Sequence, residues 1–225
     1  MRRVVVPELL DSDTGTPREV TEGLADLRML NRRFGGTRTT SSLLQNVAIR
    51  RQLKTVSLLD VGGASGDVAA AARESLAQSG ITLETVLLDR APTHLGRSHP
   101  AVCGDALALP FADNSFDVIG CSLFLHHLEP PQIVAFTNEA LRVARHALVI
   151  NDLVRHPIHW TMAAAGCTIY RSRLTRHDAP VSVRRAYTVP EVRQVMKQTD
   201  ASLIEIRSFY FFRMGVTAWK KPHTT

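Results

Sequence analysis

The sequence predicts an α/β fold, a doubly wound and mostly parallel sheet of seven strands with an antiparallel last strand. From residue 55 onward, short apolar runs alternate with helix-forming runs, which is typical of a parallel sheet covered on both faces. The first apolar run ends in the glycine-rich stretch 60–66, where the main chain can take positive φ and a ligand can come close. The runs 202–209 and 211–219 are too close for a crossover helix, so we expect them to pair antiparallel.

The composition is that of an ordinary globular protein. Its 225 residues are 44% hydrophobic and 21% charged, which fits one α/β domain. No apolar run approaches the length of a membrane span, and the apolar run at the start is too short for a secretory signal. The three cysteines are widely spaced, so we expect neither disulfides nor a metal site, and a cytoplasmic setting.

The net charge of +6 allows a nucleic-acid partner, but the basic residues are scattered rather than clustered in one block. A solvated surface is therefore the favoured interpretation of the charge. We predict no membrane span, and the sequence leaves the oligomeric state open.

Residues 1–54 are predicted to form a helical cap. Thr16-Pro17-Arg18-Glu19 is a capping box with proline at the first helical position. Gly35-Gly36 ends this helix, and residues 39–42 can cap a second one. Two interpretations stay open, a lid over the bound ligands and simple packing against the sheet. One face of the first helix is apolar, through Val20, Leu24, Leu27 and Leu30.

Residues 55–225 are predicted to form the main domain. A helix over 68–76 follows the glycine-rich turn, and Thr188-Val189-Pro190-Glu191 begins the last helix. Between them, the insertion 153–187 carries its own apolar patch and is predicted to be a helical lid. The first five strands are expected near 56–61, 83–89, 101–104, 117–122 and 147–152.

The glycine-rich turn does not match the dinucleotide fingerprint, because Ala64 and Asp67 stand where its second and third glycines belong. Asp60, at the end of the strand, would repel a pyrophosphate but not a cofactor that carries positive charge. The methyl group of Ala64 is tolerated there if its φ is negative.

The pattern Asp60-x-Gly62-x-Ala64-x-Gly66 resembles the first motif of the class I S-adenosylmethionine methyltransferases, with alanine for the middle glycine. Residues 109–119, Leu-Pro-Phe-Ala-Asp-Asn-Ser-Phe-Asp-Val-Ile, closely resemble a block of the ubiquinone/menaquinone methylase-like small-molecule group. The resemblance covers roughly residues 56–153. It implies a Rossmann-like fold, S-adenosylmethionine as cofactor and methylation as the activity.

Asp89 follows Gly66 at the distance where a βαβ unit places the carboxylate that binds ribose hydroxyls. The resemblance further implies that Asp105 and its neighbours read the adenine, and that Asp60 touches the methionine part. The alternatives are that Asp105 forms an Asx turn and that Asp60 caps the glycine turn. The predicted cofactor-binding residues are Asp60, Gly62, Gly63, Ala64, Gly66, Asp89, Arg90, Asp105, Ala106 and Ser122.

The candidate catalytic residues follow the fourth and fifth strands. His126 and His127 come after one strand and Asp152 ends the next, so adjacent strand ends should bring a histidine near a carboxylate. A histidine that titrates near neutral pH suits removal of the acceptor's proton, and Asp152 could hold its ring. The alternative is that the histidines only end a strand and cap a helix.

We therefore expect a methyltransferase for a small molecule, through O- or C-methylation of an aromatic, quinone-like or polyketide-like acceptor. Trp160, Met162 and Tyr170 in the predicted lid favour an acceptor with aromatic or lipid-like character. An RNA methyltransferase, a non-catalytic S-adenosylmethionine-binding protein and a nicotinamide oxidoreductase are the alternatives. The basic lid residues are interpreted as a solvated helix face rather than as an anion site.

Overall fold

The computed structural model describes residues 1–11, 15–95 and 99–221. The strands are β1 (Thr55–Val61), β2 (Thr82–Asp89), β3 (Ala101–Cys103), β4 (Phe116–Ser122), β5 (Ala144–Leu153), β6 (Leu203–Phe209) and β7 (Arg213–Trp219). They form one sheet in the order β3-β2-β1-β4-β5-β7-β6. β7 is antiparallel to both of its neighbours, and the other neighbouring strands pair parallel, which confirms the predicted fold class.

Helices cover both faces of this sheet. They are α1 (Pro17–Arg33), α2 (Gly36–Arg51), α3 (Asp67–Ala77), α4 (Pro130–Val143), α5 (Pro157–Ala165), α6 (Arg173–Arg185) and α7 (Val189–Met196). Apolar side chains of α2 and α3 pack on one face, and those of α4 and α7 pack on the other. Among the described residues, no helix has the length and hydrophobicity that crossing a lipid bilayer requires.

Two predicted helix starts are confirmed. The backbone N–H of Glu19 donates to the Thr16 hydroxyl at 3.3 Å, and the Thr16 N–H donates to the Glu19 carboxylate at 2.9 Å. Thr188 and Glu191 form the same reciprocal capping box at the start of α7. Each box satisfies N–H groups that the first turn of a helix leaves without partners.

The predicted start of the second helix was wrong. α2 begins at Gly36, and Gly35 precedes it with φ of 78°, so one glycine pair both ends α1 and begins α2. Residues 39–42 therefore lie inside the helix, not at its cap. The hydroxyl of Thr40 accepts a hydrogen bond from the Asn151 side chain at 2.9 Å, which fixes α2 against the end of β5.

The N-terminal segment, residues 1–11, is not part of any helix, so the predicted cap is helical only from Pro17 onward. The carboxylate of Asp178 on α6 accepts the backbone N–H groups of Leu9 and Leu10 at 2.8 and 3.0 Å. This contact anchors the segment against the insertion. It carries two further carboxylates to the carboxyl ends of β4 and β5, as described below.

The insertion 153–187 is helical, as predicted, through α5 and α6. The buried carboxylate of Asp26 on α1 accepts the N–H groups of Arg171 and Ser172 at 2.9 and 3.0 Å, which fixes the start of α6. Arg155 is buried and donates to the Ala186 carbonyl at 2.7 Å, so the solvated-face interpretation is wrong for this residue. That the insertion acts as a lid stays a prediction.

Candidate active site

A cavity of about 1010 Å³ lies at the carboxyl ends of β1, β4 and β5. One end is formed by the glycine turn and the acids after β2 and β3, and the other by the histidines after β4. Most of the predicted site residues line it, namely Asp60, Gly62, Gly63, Ala64, Asp89, Arg90, Asp105, Ala106, Ser122, His126 and His127. Gly66, which shapes the turn, and Asp152, which lies behind His126, are the two that do not.

The glycine turn leaves no room for a side chain at its centre. A Cβ added to Gly63 would lie 3.0 Å from the carbonyl and carboxylate oxygens of Asp60 and from the Leu87 side chain. Gly62 and Gly66 have φ of 66° and 74°, where side chains are strained. The turn therefore brings bare main chain to the cavity, directly before the N-terminus of α3.

Ala64 has φ of 43°, so the condition named above for an unstrained methyl group, a negative φ, is not met. The Ala64 N–H donates to the Asp89 carboxylate at 3.3 Å, and this contact holds the residue in the turn between two left-handed glycines. An L-residue with a Cβ in this region carries a cost of about 1–2 kcal/mol.

Replacing Ala64 with Gly is expected to raise the free energy of unfolding by about 1 kcal/mol, because it removes the Cβ strain while adding some chain entropy to the unfolded state. For a chain of this size the melting temperature should rise by roughly 2–4 °C. Thermal unfolding followed by circular dichroism measures the change. Ala69→Gly, inside α3 at negative φ, is the matched control and should lower the melting temperature. A64G melting at or below the wild-type temperature would contradict the strain argument.

Two acids stand at the ends of β2 and β3. The carboxylate of Asp89 accepts the Ala91 N–H at 3.0 Å as well as that of Ala64, which fixes its position at the cavity wall. The carboxylate of Asp105 accepts the Leu107 N–H at 2.9 Å, so the Asx turn named above as the alternative is present. An ionised carboxylate has about four acceptor sites, so these contacts leave both acids able to accept ligand hydroxyls or amines. Their roles toward ribose and adenine stay predictions.

Asp60 is buried beside the turn. Burial, and then the charges of Asp67 and Asp89, raise the pKa of Asp60 to about 7. Three carboxylates close to one glycine turn disfavour a phosphate and favour a cationic ligand. These acids are suited to a ligand that carries positive charge, such as a sulfonium or an ammonium group.

The structure brings the predicted histidine and carboxylate together. His126 Nδ1 lies 2.7 Å from Asp152 Oδ1, and the His126 N–H donates to Asp152 Oδ2 at 3.0 Å. Both side chains are 2% exposed. Burial acts to lower the pKa of His126, but Asp152 and Glu8 outweigh it and raise the pKa to about 10. The expected titration near neutral pH is therefore wrong for His126 in this arrangement.

Two residues of this site, Glu8 and Asp11, were missed at the level of sequence. Glu8 Oε1 lies 3.4 Å from His126 Nε2 and 4.0 Å from His127 Nε2. Asp11 Oδ2 lies 2.7 Å from His127 Nδ1. The N-terminal segment has no hydrophobic periodicity and no motif. The sequence around Pro7-Glu8-Leu9-Leu10-Asp11 therefore does not predict that its acids contact the histidines.

Apolar side chains wall the cavity between its two ends. They come from α1 and from the insertion, and include Leu24, Leu27, Leu30, Phe34, Met162, Ile169 and Tyr170. Trp160, which the sequence also pointed to, lies outside this wall and is 38% exposed. The wall is suited to a ligand with a sizeable apolar body.

Residues 59–147 match the model of a methyltransferase domain family. The ubiquinone/menaquinone biosynthesis C-methyltransferase UbiE of Roseobacter denitrificans is 38% identical over 99 residues. That stretch is 39% of this chain and 38% of that protein, so the match spans little more than a third of its curated relative.

Two crystal structures illustrate the shared fold. Human N-acetylserotonin methyltransferase, solved in complex with SAM, aligns over 97% of this chain and 61% of its own with a TM-score of 0.65 and 12% identity. Magnesium protoporphyrin IX methyltransferase from Synechocystis, solved with bound SAH, aligns over 83% and 84% of the two chains with a TM-score of 0.54 and 13% identity. The chain therefore contains a region, residues 59–147, that matches a methyltransferase domain, and it shares its fold with methyltransferases solved with SAM or SAH.

Proposed function

We propose that this chain transfers the methyl group of S-adenosylmethionine to an oxygen or carbon atom of a small molecule with an aromatic, quinone-like or polyketide-like body. One observation carries the proposal, namely that the glycine turn and the histidine cluster open into the same cavity. The apolar wall between them supports an acceptor with a ring or a similar apolar frame.

The cofactor end is assigned from the residues that line it. Asp89 is proposed to accept hydrogen bonds from the ribose hydroxyls, and Asp105 with Ala106 to contact the adenine. Asp60 is proposed to face the positively charged methionine portion. S-adenosylmethionine supplies an already activated methyl group, so the main task of the chain is alignment, which is worth up to about 7–11 kcal/mol in the best cases.

The acceptor end is assigned to the two histidines and the carboxylates that hold them. Asp152 orients the ring of His126, and Asp11 orients that of His127. We propose that these groups position the acceptor and lower the cost of forming its anion. α1 and the insertion exclude water from the reacting atoms, which strengthens every electrostatic contact in the cavity.

Two measurements on the purified chain test this function. Calorimetric titration with S-adenosylhomocysteine should show binding, and release of S-adenosylhomocysteine from S-adenosylmethionine should accelerate with hydroxyaromatic, hydroquinone or polyketide-like compounds. RNA is assayed in parallel across salt concentrations, because methylation of RNA with a steep salt dependence would favour a nucleic-acid enzyme. Cofactor binding without transfer to any acceptor would overturn the catalytic proposal, and a thermal shift with NAD(P) alone would overturn the cofactor assignment.

Replacing Asp89 with Ala is expected to weaken S-adenosylhomocysteine binding at least tenfold, because hydrogen bonds to a charged group contribute about 1.5–3 kcal/mol. The substitution also releases the Ala64 N–H from its partner, which loosens the turn that faces the cofactor. Calorimetry at constant pH measures the dissociation constant. Asp200→Ala removes an exposed acid away from the cavity and serves as the control. Equal affinities in wild type and D89A would rule out the ribose role.

A further inference from the structure

We propose that Glu8, His126 and His127 form a binding site for a divalent transition-metal ion of the zinc type. The site lies at the acceptor end of the cavity, and its three side chains come from the N-terminal segment and from the turn after β4. Binding of the ion itself does not depend on the proposed function.

The first support is distance. Glu8 Oε1 lies 3.4 Å from His126 Nε2 and 4.0 Å from His127 Nε2, and the three ligand atoms lie within 4.8 Å of one another. Two atoms that each lie about 2.0–2.1 Å from a zinc ion at the tetrahedral angle are about 3.4 Å apart. The three donors are therefore close to a zinc-binding arrangement without any change of fold.

The second support is the orientation of both rings. His126 Nδ1 is 2.7 Å from Asp152 and His127 Nδ1 is 2.7 Å from Asp11. A carboxylate only accepts, so His126 Nδ1 donates to Asp152, and a metal ion at Nε2 would displace the proton held there. His127 Nδ1 lies between Asp11 and the Arg185 guanidinium, which is 3.3 Å away, and its contact with Asp11 is the shorter of the two. Metal-binding histidines almost always donate their other ring N–H to a carboxylate, a backbone carbonyl or water. Here a carboxylate stands behind each ring, Asp152 from β5 and Asp11 from the N-terminal segment.

The third support is charge. Three carboxylates surround the histidine pair, those of Glu8, Asp11 and Asp152. The basic side chains that face them are Arg185, 3.6 Å from Asp11, and Arg213, which acts on Asp152. Glu8 and Asp152 are both buried. A divalent cation bound beside these carboxylates would stabilise their buried negative charge.

The remaining coordination position would open to the cavity, because Glu8, His126 and His127 all line it. On the basis of the proposed function, this position would take an oxygen of the acceptor, a phenolic or enolic hydroxyl. The ion would hold that oxygen as an anion after its proton has left to solvent, as metals do for bound water. Acceptors with such an oxygen are the substrate class that this site favours.

Titration of the full, untagged and chelator-treated chain with zinc chloride tests the site, with no cofactor or acceptor present. We expect one ion per chain, and affinity at least tenfold weaker in Glu8→Gln and in His127→Ala. Asp11→Ala should weaken binding about 10–100-fold, since it removes the acceptor that orients His127 and leaves the three proposed ligands in place. His146→Ala, at the opposite end of β5, should bind zinc like the wild type. Cobalt(II) as a second probe should give the spectrum of a tetrahedral site without thiolate ligands.

Three results would overturn the inference. These are absence of zinc binding, binding that E8Q and H127A leave unchanged, and binding that Cys103→Ser abolishes. The test uses E8Q and H127A rather than a His126 variant. Loss of His126 would leave the Asp152 carboxylate buried without its partner, which would destabilise the fold. Zinc binding without methylation of any acceptor would count against the proposed function alone. Methylation by a chain that binds no zinc would count against the metal site alone.

Discussion

Asp60→Asn is expected to stabilise the cofactor-free protein at pH 8 by roughly 4 kcal/mol relative to the wild type. In the folded chain, burial and then the charges of Asp67 and Asp89 raise the pKa of Asp60 from 3.8 to about 7. Folded protein therefore holds this proton more tightly than unfolded protein does. The contribution of Asp60 to stability is complete below pH 3.8 and is lost as the pH rises through 7.

Urea unfolding of wild type and D60N at several pH values measures this effect. The two free energies of unfolding should be similar near pH 4, should separate between pH 4 and 7, and should stay parallel above that range. Asp200→Asn, at an exposed acid, is the control and should show no such separation. A D60N variant that is no more stable than the wild type at pH 8 would show that the Asp60 carboxylate carries no burial cost.

The D60N variant, although more stable, should bind the cofactor more weakly than the wild type does. Removal of the Asp60 charge should reduce affinity for S-adenosylmethionine more than for S-adenosylhomocysteine, because only the former has a sulfonium. A group that destabilises the free protein but attracts its ligand is typical of a binding site rather than of a structural core. The ratio of the two dissociation constants, by calorimetry at pH 8, reports this difference.

The parts of the site that the sequence predicted are those fixed by neighbouring strand ends. In a parallel sheet the carboxyl ends of the strands share one edge, so the residues after β1, β2, β4 and β5 had to meet there. For this reason the contact of His126 with Asp152 could be expected from two short apolar runs. The glycine turn could also be predicted from the sequence, because strand, turn and helix follow one another directly.

The parts that the sequence did not predict depend on contacts between distant segments. Glu8 and Asp11 reach the histidines because the carboxylate of Asp178 holds the main chain between them. The φ of Ala64 is set by a hydrogen bond to Asp89, which lies one helix further along the chain. Cys103 lies in a strand and is nevertheless exposed, because β3 is a three-residue strand at the edge of the sheet.

Replacing His127 with Ala is expected to lower the turnover number by roughly 10²-fold or more, with little change in affinity for S-adenosylhomocysteine. The ring lies at the acceptor end of the cavity and is held by Asp11, so its loss affects the acceptor rather than the cofactor. Replacement of His126 should act in the same direction, with an added loss of stability from the unpaired Asp152. Initial rates at saturating cofactor, with calorimetry on the same samples, separate the two effects.

His146→Ala is the control for this prediction, since that ring lies near Asp117 at the opposite edge of the sheet. The double variant Glu8→Gln with His127→Ala gives the sharper result. If the two side chains act as one unit, the double variant should be no slower than the slower single variant. Multiplicative losses would mean that they act separately. Rates that match the wild type in the His126 and His127 variants would show that the acceptor's proton leaves without help from this cluster.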